Sequence, residues 1–96
     1  PVLYPKGEMK APATRYPITM NWRYLGPQPE LGNTQLQTAD GRILAHDATT
    51  DLPAGHKGIQ IIPQQDLPPN SQITVTVSGH YEGQPFSYTW GFHSGG

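Results

Sequence analysis

Residues 72–93, QITVTVSGHYEGQPFSYTWGFH, decide the fold. Ile73, Val75, Val77, Gly79 and Tyr81 alternate with Thr74, Thr76, Ser78 and His80. After Glu82-Gly83, Phe86, Tyr88, Trp90 and Phe92 alternate with Ser87, Thr89, Gly91 and His93. A period of two puts one face of a strand in a core and the other in water, so this stretch predicts one long β-hairpin. With Glu82 and Gly83 as the central turn residues, Ile73 faces Phe92, Val75 faces Trp90, Val77 faces Tyr88 and Gly79 faces Phe86, all on one side. Aromatic against β-branched pairs are worth roughly 0.2 to 1 kcal/mol each, and Gly79 leaves room for the Phe86 ring. Thr76 meets Thr89 and Ser78 meets Ser87 on the wet side. A slip of one residue would set core positions against solvent positions, so the register should be unique. Glu is not the usual first residue of a two-residue turn, where Asn or Asp is preferred, and a slightly longer loop stays open.

The 96 residues make one domain, residues 1–96, with room for a single core. Eleven Pro and eleven Gly fall between patterned segments, as turn residues of a β protein do. Only 14% of residues are charged and the net charge is -1, which argues against nucleic acid as a partner. The charge is uneven. Lys6, Lys10, Arg15 and Arg23 against Glu8 make residues 1–23 +3, and the remainder is -4. This fits a solvated dipolar surface or a docking face for a neighbouring domain. The absence of Cys excludes disulfides, thiolate metal sites and a cysteine nucleophile, and leaves the redox compartment undecided. No apolar run reaches the roughly 18 residues of a membrane span, so no membrane insertion is expected. The start at Pro1 without Met suggests a mature fragment or an excised domain.

Residues 1–17 read as an extended N-terminal segment with an edge strand near Val2 to Tyr4, because Pro cannot donate to a central ladder. Ile18, Met20, Trp22 and Tyr24 alternate with Thr19, Asn21 and Arg23, a strand that Gly26-Pro27-Gln28-Pro29 ends. Asp40-Gly41 is a hairpin-turn signature between candidate strands 35–39 and 42–46, where Leu36, Ile43 and Ala45 share a face and Leu44 points away. Residues 48–57 read as a polar loop. Ile59 to Ile62 is apolar on both faces, as a central strand would be. No ten-residue segment has helical spacing, and regular turn signals predict an all-β sandwich or small barrel.

Several of these segments together resemble a known family: Leu3-Tyr4-Pro5-x-Gly7, Tyr16-Pro17-Ile18-Thr19, Asp40-Gly41, Ile61-Ile62-Pro63, Leu67-Pro68-Pro69-Asn70-Ser71 leading into 73–79, and 83–92. They look like a bacterial immunoglobulin-like domain, of the kind found C-terminal to secreted CAP-type (cysteine-rich secretory and pathogenesis-related) domains. The resemblance implies an antiparallel β-sandwich of about seven strands, an extracellular or cell-envelope location, and a non-enzymatic accessory module beside an upstream domain. Such domains often carry a Tyr where this chain has Ile73. The turn before residue 73 should therefore lack the tyrosine-corner hydrogen bond.

Chemistry-bearing residues are sparse. His80 and His93 lie about 26 Å apart along the predicted hairpin and cannot share an ion. His46 and His56 flank Asp47 and Asp51, a conceivable zinc or copper set, but no tight His pair supports it. Asp47-Ala48-Thr49-Thr50-Asp51 could hold calcium, yet it lacks the Gly and final Glu of an EF-hand loop, and Asp and Thr are ordinary turn residues. Ser71, Ser78, Ser87 and Ser94 can be paired on paper with His and Asp, but no Gly-x-Ser-x-Gly elbow is present. No metal, cofactor or catalysis is expected. The rings carry more weight. Trp22, Tyr88 and Trp90 are expected to fill the core, while Tyr16, Tyr24 and Tyr81, near strand ends, are the candidates for contact with a partner or a sugar. The expected role is an interaction or spacer domain of a monomeric, exported bacterial protein. The alternatives are a carbohydrate-binding module using exposed aromatics, and a small metal-binding or hydrolase domain.

Overall fold

The computed structural model describes residues 1–8 and 17–95, and among them it is all-β. The long hairpin forms as the alternation predicts. Strand β7 (Gln72–Tyr81) pairs antiparallel with β8 (Gln84–His93) in ten consecutive pairs, from Gln72 opposite His93 to Tyr81 opposite Gln84. The turn is the tight two-residue form. Glu82 (φ 51°) and Gly83 (φ 79°) both take left-handed backbone, the requirement of a type I′ turn. Ile73, Val75, Val77, Trp90 and Phe92 are buried, and Thr76 and Thr89 meet through their hydroxyls at 3.4 Å on the outer face.

The hairpin belongs to a sheet of order β2-β8-β7-β4, with β2 at Gly7–Glu8 and β4 at Glu30–Thr38. Facing it is the sheet β1-β3-β6-β5, built from Val2–Tyr4, Ile18–Asn21, Gly58–Pro63 and His46–Thr49. The N-terminal edge strand changes sheet at Tyr4-Pro5. Its first half, β1, pairs antiparallel with β3, and its second half, β2, runs parallel to β8. With β1 and β2 taken as one divided strand, the described residues form a seven-stranded immunoglobulin-like sandwich in the A-B-E-D and C-F-G arrangement. The two inner faces supply one core: Ile18, Met20, Ile59 and Ile61 from one sheet, Leu36, Ile73, Val75, Val77, Trp90 and Phe92 from the other, and Leu67 from the connecting turn. The indole N–H of Trp90 donates to Pro5 O at 3.1 Å, which ties the core to the point where the edge strand changes sheet.

Three expectations are corrected. First, the Asp40-Gly41 turn is one residue longer than its signature suggests. Gly41 alone has positive φ, Gly41 N–H donates to Thr38 O, and Thr38 N–H donates to Arg42 O at 2.9 Å, giving a three-residue loop. The register shifts by one, so Leu36 lies opposite Leu44, whose N–H donates to Leu36 O. Leu44 packs on the core while Ile43 and Ala45 are exposed, the reverse of the expected faces. Second, 42–45 makes only an isolated bridge at Gln37 and Ile43, and the strand begins at His46 and runs on to Thr49, into the segment expected to be a loop. Residues 46–49 have little strand propensity of their own, and they are ordered by pairing with β6. Third, β3 ends at Asn21, not Tyr24. Its partner β6 begins at Gly58, and only one further bond, Trp22 N–H to Lys57 O at 2.9 Å, continues the ladder.

Where a tyrosine corner would sit, Ile73 is buried, and Ser94 holds the turn instead. Ser94 Oγ accepts from Ser71 N–H at 2.9 Å and donates to Pro68 O at 2.6 Å, and Ser94 N–H donates to Ser71 O at 2.8 Å.

Candidate functional site

Strand length decides where side chains are left over. At about 3.3 Å per residue the ten-residue arms of the hairpin span about 33 Å, against about 20 Å for the six residues of β6 and about 13 Å for the four of β3. The inner face of the hairpin therefore runs past the sheet that covers it. Tyr81, Phe86 and Tyr88, inward by alternation, lie on that overhang and are only half-buried. Trp22, just beyond the end of β3, is the ring that the opposite sheet sends across. Its plane stacks on Tyr81 with centroids 5.1 Å apart and 17° between the planes, and it tilts against Phe86 at 5.2 Å. Phe86 meets Tyr88 at 5.8 Å. Gly79 lies opposite Phe86, and a Cβ there would collide with Glu30 O and press on the Phe86 ring, so glycine lets β4 and the ring approach together.

These four rings border an open groove of about 460 Å³, whose remaining wall is the turn end of the hairpin with Glu82, Gln84 and Pro85. Two further loops, 22–29 and 50–57, are zipped together at this end. Leu25 N–H donates to Gly55 O at 3.1 Å and Gln28 Nε2 donates to Thr50 O at 2.7 Å. Leu25, Ala54 and Glu82 all hold left-handed backbone without being glycine, one in each loop of this end. Such conformations are disfavoured for L-residues and need surrounding structure to maintain them.

Of the three contact candidates from the sequence, Tyr81 stacks in this cluster. Tyr24 is 57% exposed and sits edge-on to the His56 ring at 5.2 Å, beside Leu25. Tyr16 lies outside the described residues. Trp90 fills the core as expected, but Trp22 and Tyr88 do not: they are half-buried against it, because the covering sheet stops short of them. For Phe86 the alternation predicts only an inward position. The signal that places it in the cluster was present in the sequence, since the inward series of 72–93 is longer than any other patterned strand can cover.

The ionisable candidates do not converge. Among the described residues no group of three or more His, Cys, Asp or Glu could hold a metal ion. His46 has both ring nitrogens engaged. A carbonyl only accepts, so Nδ1 donates to Leu44 O at 3.0 Å, and Nε2 meets Thr34 Oγ1 at 2.7 Å. Asp47 accepts from Gln64 Nε2 at 3.3 Å. Ser71 and Ser94 are spent on the 67–71 turn, and Ser78 Oγ accepts from Asn33 N–H at 3.4 Å. Asp40, at the opposite end of the sandwich from the aromatic groove, is held below the ordinary aspartate value of 3.8. The Thr38 hydroxyl donates to its carboxylate, and Arg42 N–H donates to it as well. No described helix is long and apolar enough to cross a membrane.

Comparison of the chain with protein-family models, with curated proteins and with solved structures returns no match.

Proposed function

We propose that this chain is a non-catalytic carbohydrate-binding module that holds a sugar against the aromatic groove at the β7–β8 turn. The observation that carries the reading is the Trp22–Tyr81 stack, extended by Phe86 and Tyr88 and bordered by the carboxylate of Glu82 and the amide of Gln84. A pyranose presents an apolar C–H face and a rim of hydroxyls. Aromatic faces carry negative quadrupole charge and attract C–H groups, while carboxylate and amide groups exchange hydrogen bonds with hydroxyls. Planar rings beside a few polar groups match both halves of such a ligand. A purely structural end to the core would need neither the open groove nor a charged residue at its lip.

In this reading the domain serves as the accessory part of an exported bacterial protein, acting outside the cell or in its envelope and keeping a CAP-like upstream domain near its glycan. The test is titration of soluble oligosaccharides by calorimetry or NMR, with Tyr81→Ala and Gln84→Ala as variants and thermal melts to verify folding. Wild type should bind at least one glycan with chemical-shift changes confined to Trp22 and residues 81–88. Loss of a stacked ring should weaken binding about tenfold or more, in line with aromatic stacking being worth roughly 1 to 3 kcal/mol in comparable recognition. Failure of a broad glycan panel to bind the folded chain at millimolar concentration would leave the interaction or spacer role.

A further inference from the structure

We infer that the groove takes neutral, hydroxyl-rich sugars and rejects acidic ones, with Glu82 as the residue that discriminates. This rests on the carbohydrate reading above. Among the described residues, those bordering the groove include one ionisable carboxylate and no Lys, Arg or His, so the full charge they bring is negative. Uronic or sialic acids meeting that lip would bring two like charges together. Neutral hydroxyls would instead donate to Glu82 and exchange hydrogen bonds with the Gln84 amide.

The position of Glu82 argues that it is there for a reason other than the turn. A type I′ turn wants Asn, Asp or Gly at its first central residue, since that residue must have positive φ. Here a Glu holds φ 51°. Glu82 is itself exposed, so no burial demands a long side chain at the tip. Because the turn is only two residues long and closed by the Tyr81–Gln84 pair, it sets the Glu82 backbone at the end of the aromatic face, with its carboxylate in reach of the groove. Backbone strain without a local packing benefit is the pattern seen where a side chain serves a ligand.

At about 4 Å two like charges near a protein surface repel strongly enough to weaken binding by roughly fivefold or more. The effect should fade at high salt, because the screening length falls from about 10 Å at 0.1 M to about 3 Å at 1 M. The experiment is a calorimetric titration of wild type, Glu82→Gln and Glu82→Asn with a neutral set (cello-, manno-, xylo- and chito-hexaose) and an acidic set (oligogalacturonate and hyaluronan fragments), at 0.05 and 1 M NaCl. The inference expects wild type to bind a neutral member and to bind acidic members at least about fivefold more weakly. Glu82→Gln and Glu82→Asn should both narrow that ratio at low salt, and the gap should shrink for wild type at high salt. The Asn variant relaxes the turn, so agreement between the two separates charge from turn geometry. If wild type binds acidic members as tightly as neutral ones, or if neither variant changes the ratio, the inference is overturned while sugar binding stands. If wild type binds neither set, both fall.

Discussion

Replacing Ser94 by Ala removes one hydroxyl whose two bonds fasten the C-terminus to the turn at 67–71. The side chain is fully buried. Its oxygen accepts from Ser71 N–H at 2.9 Å and donates to Pro68 O at 2.6 Å, and alanine leaves both backbone groups without that partner. An orphaned buried polar group costs about 1 to 3 kcal/mol. Ser71 and Pro68 are half-buried, so water can reach them in part and the lower end applies to each, for a total of roughly 2 kcal/mol. The backbone bond from Ser94 N–H to Ser71 O survives, so the chain should still fold. In a domain of this size about 1 kcal/mol moves Tm by roughly 4 to 8 °C, which predicts a fall of about 8 to 16 °C. Urea melts should show a lower midpoint at unchanged slope, and hydrogen exchange at the Ser71 amide should accelerate more than at Val75. The control is Ser87→Ala, on the exposed face of β8, with an expected change below about 0.5 kcal/mol. Equal losses for the two variants would refute the claim that Ser94 takes the place of a tyrosine corner.

Three other substitutions probe the core, the hairpin and the Asp40 turn. Trp90→Ala should cost about 3 to 5 kcal/mol by denaturant melts, and Thr89→Ala less than about 0.5 kcal/mol, since only Trp90 is in the core and bonded to Pro5 O. Gly79→Ala should destabilise more than Gly83→Ala: the first drives a Cβ into Glu30 O, whereas the second meets open space and loses only about 1 kcal/mol to its positive φ. Asp40 has a folded pKa below its unfolded one, so its contribution is present above about pH 4 and disappears as pH falls through the lowered value; thermal melts between pH 5 and 2 should fall less steeply for Asp40→Asn than for wild type.

The hairpin was legible because its period of two runs unbroken from Gln72 to Tyr81 and from Phe86 to His93, and even the face and the register could be read from it. Residues 35–46 misled because a Gly after an Asp supports both two- and three-residue loops, and the choice moves Leu36 from Ala45 to Leu44. Strand β5 was missed beyond His46 for a different reason: Asp47, Ala48 and Thr49 become a strand only when β6 offers a ladder. The aromatic cluster was half legible. Tyr81 stands out by its place at a strand end, but the meeting of Trp22 with Tyr81 depends on how the two sheets are offset, a quantity that no local pattern encodes.

The divided first strand has a mechanical consequence. β1 starts at the aromatic end and hydrogen-bonds to β3, while β8 finishes at the opposite end with β2 running parallel beside it. Tension between residue 1 and residue 95 therefore acts along the strands, and the bonds of Val2, Leu3 and Tyr4 to β3 carry load side by side instead of opening in sequence. The Trp90 indole clamps Pro5, the joint between the two halves, so the load reaches the core before β2 can separate from β8. Resistance of this kind is set by the height of the unfolding barrier and not by the equilibrium free energy. A domain only marginally stable in urea can still hold a pulled chain together.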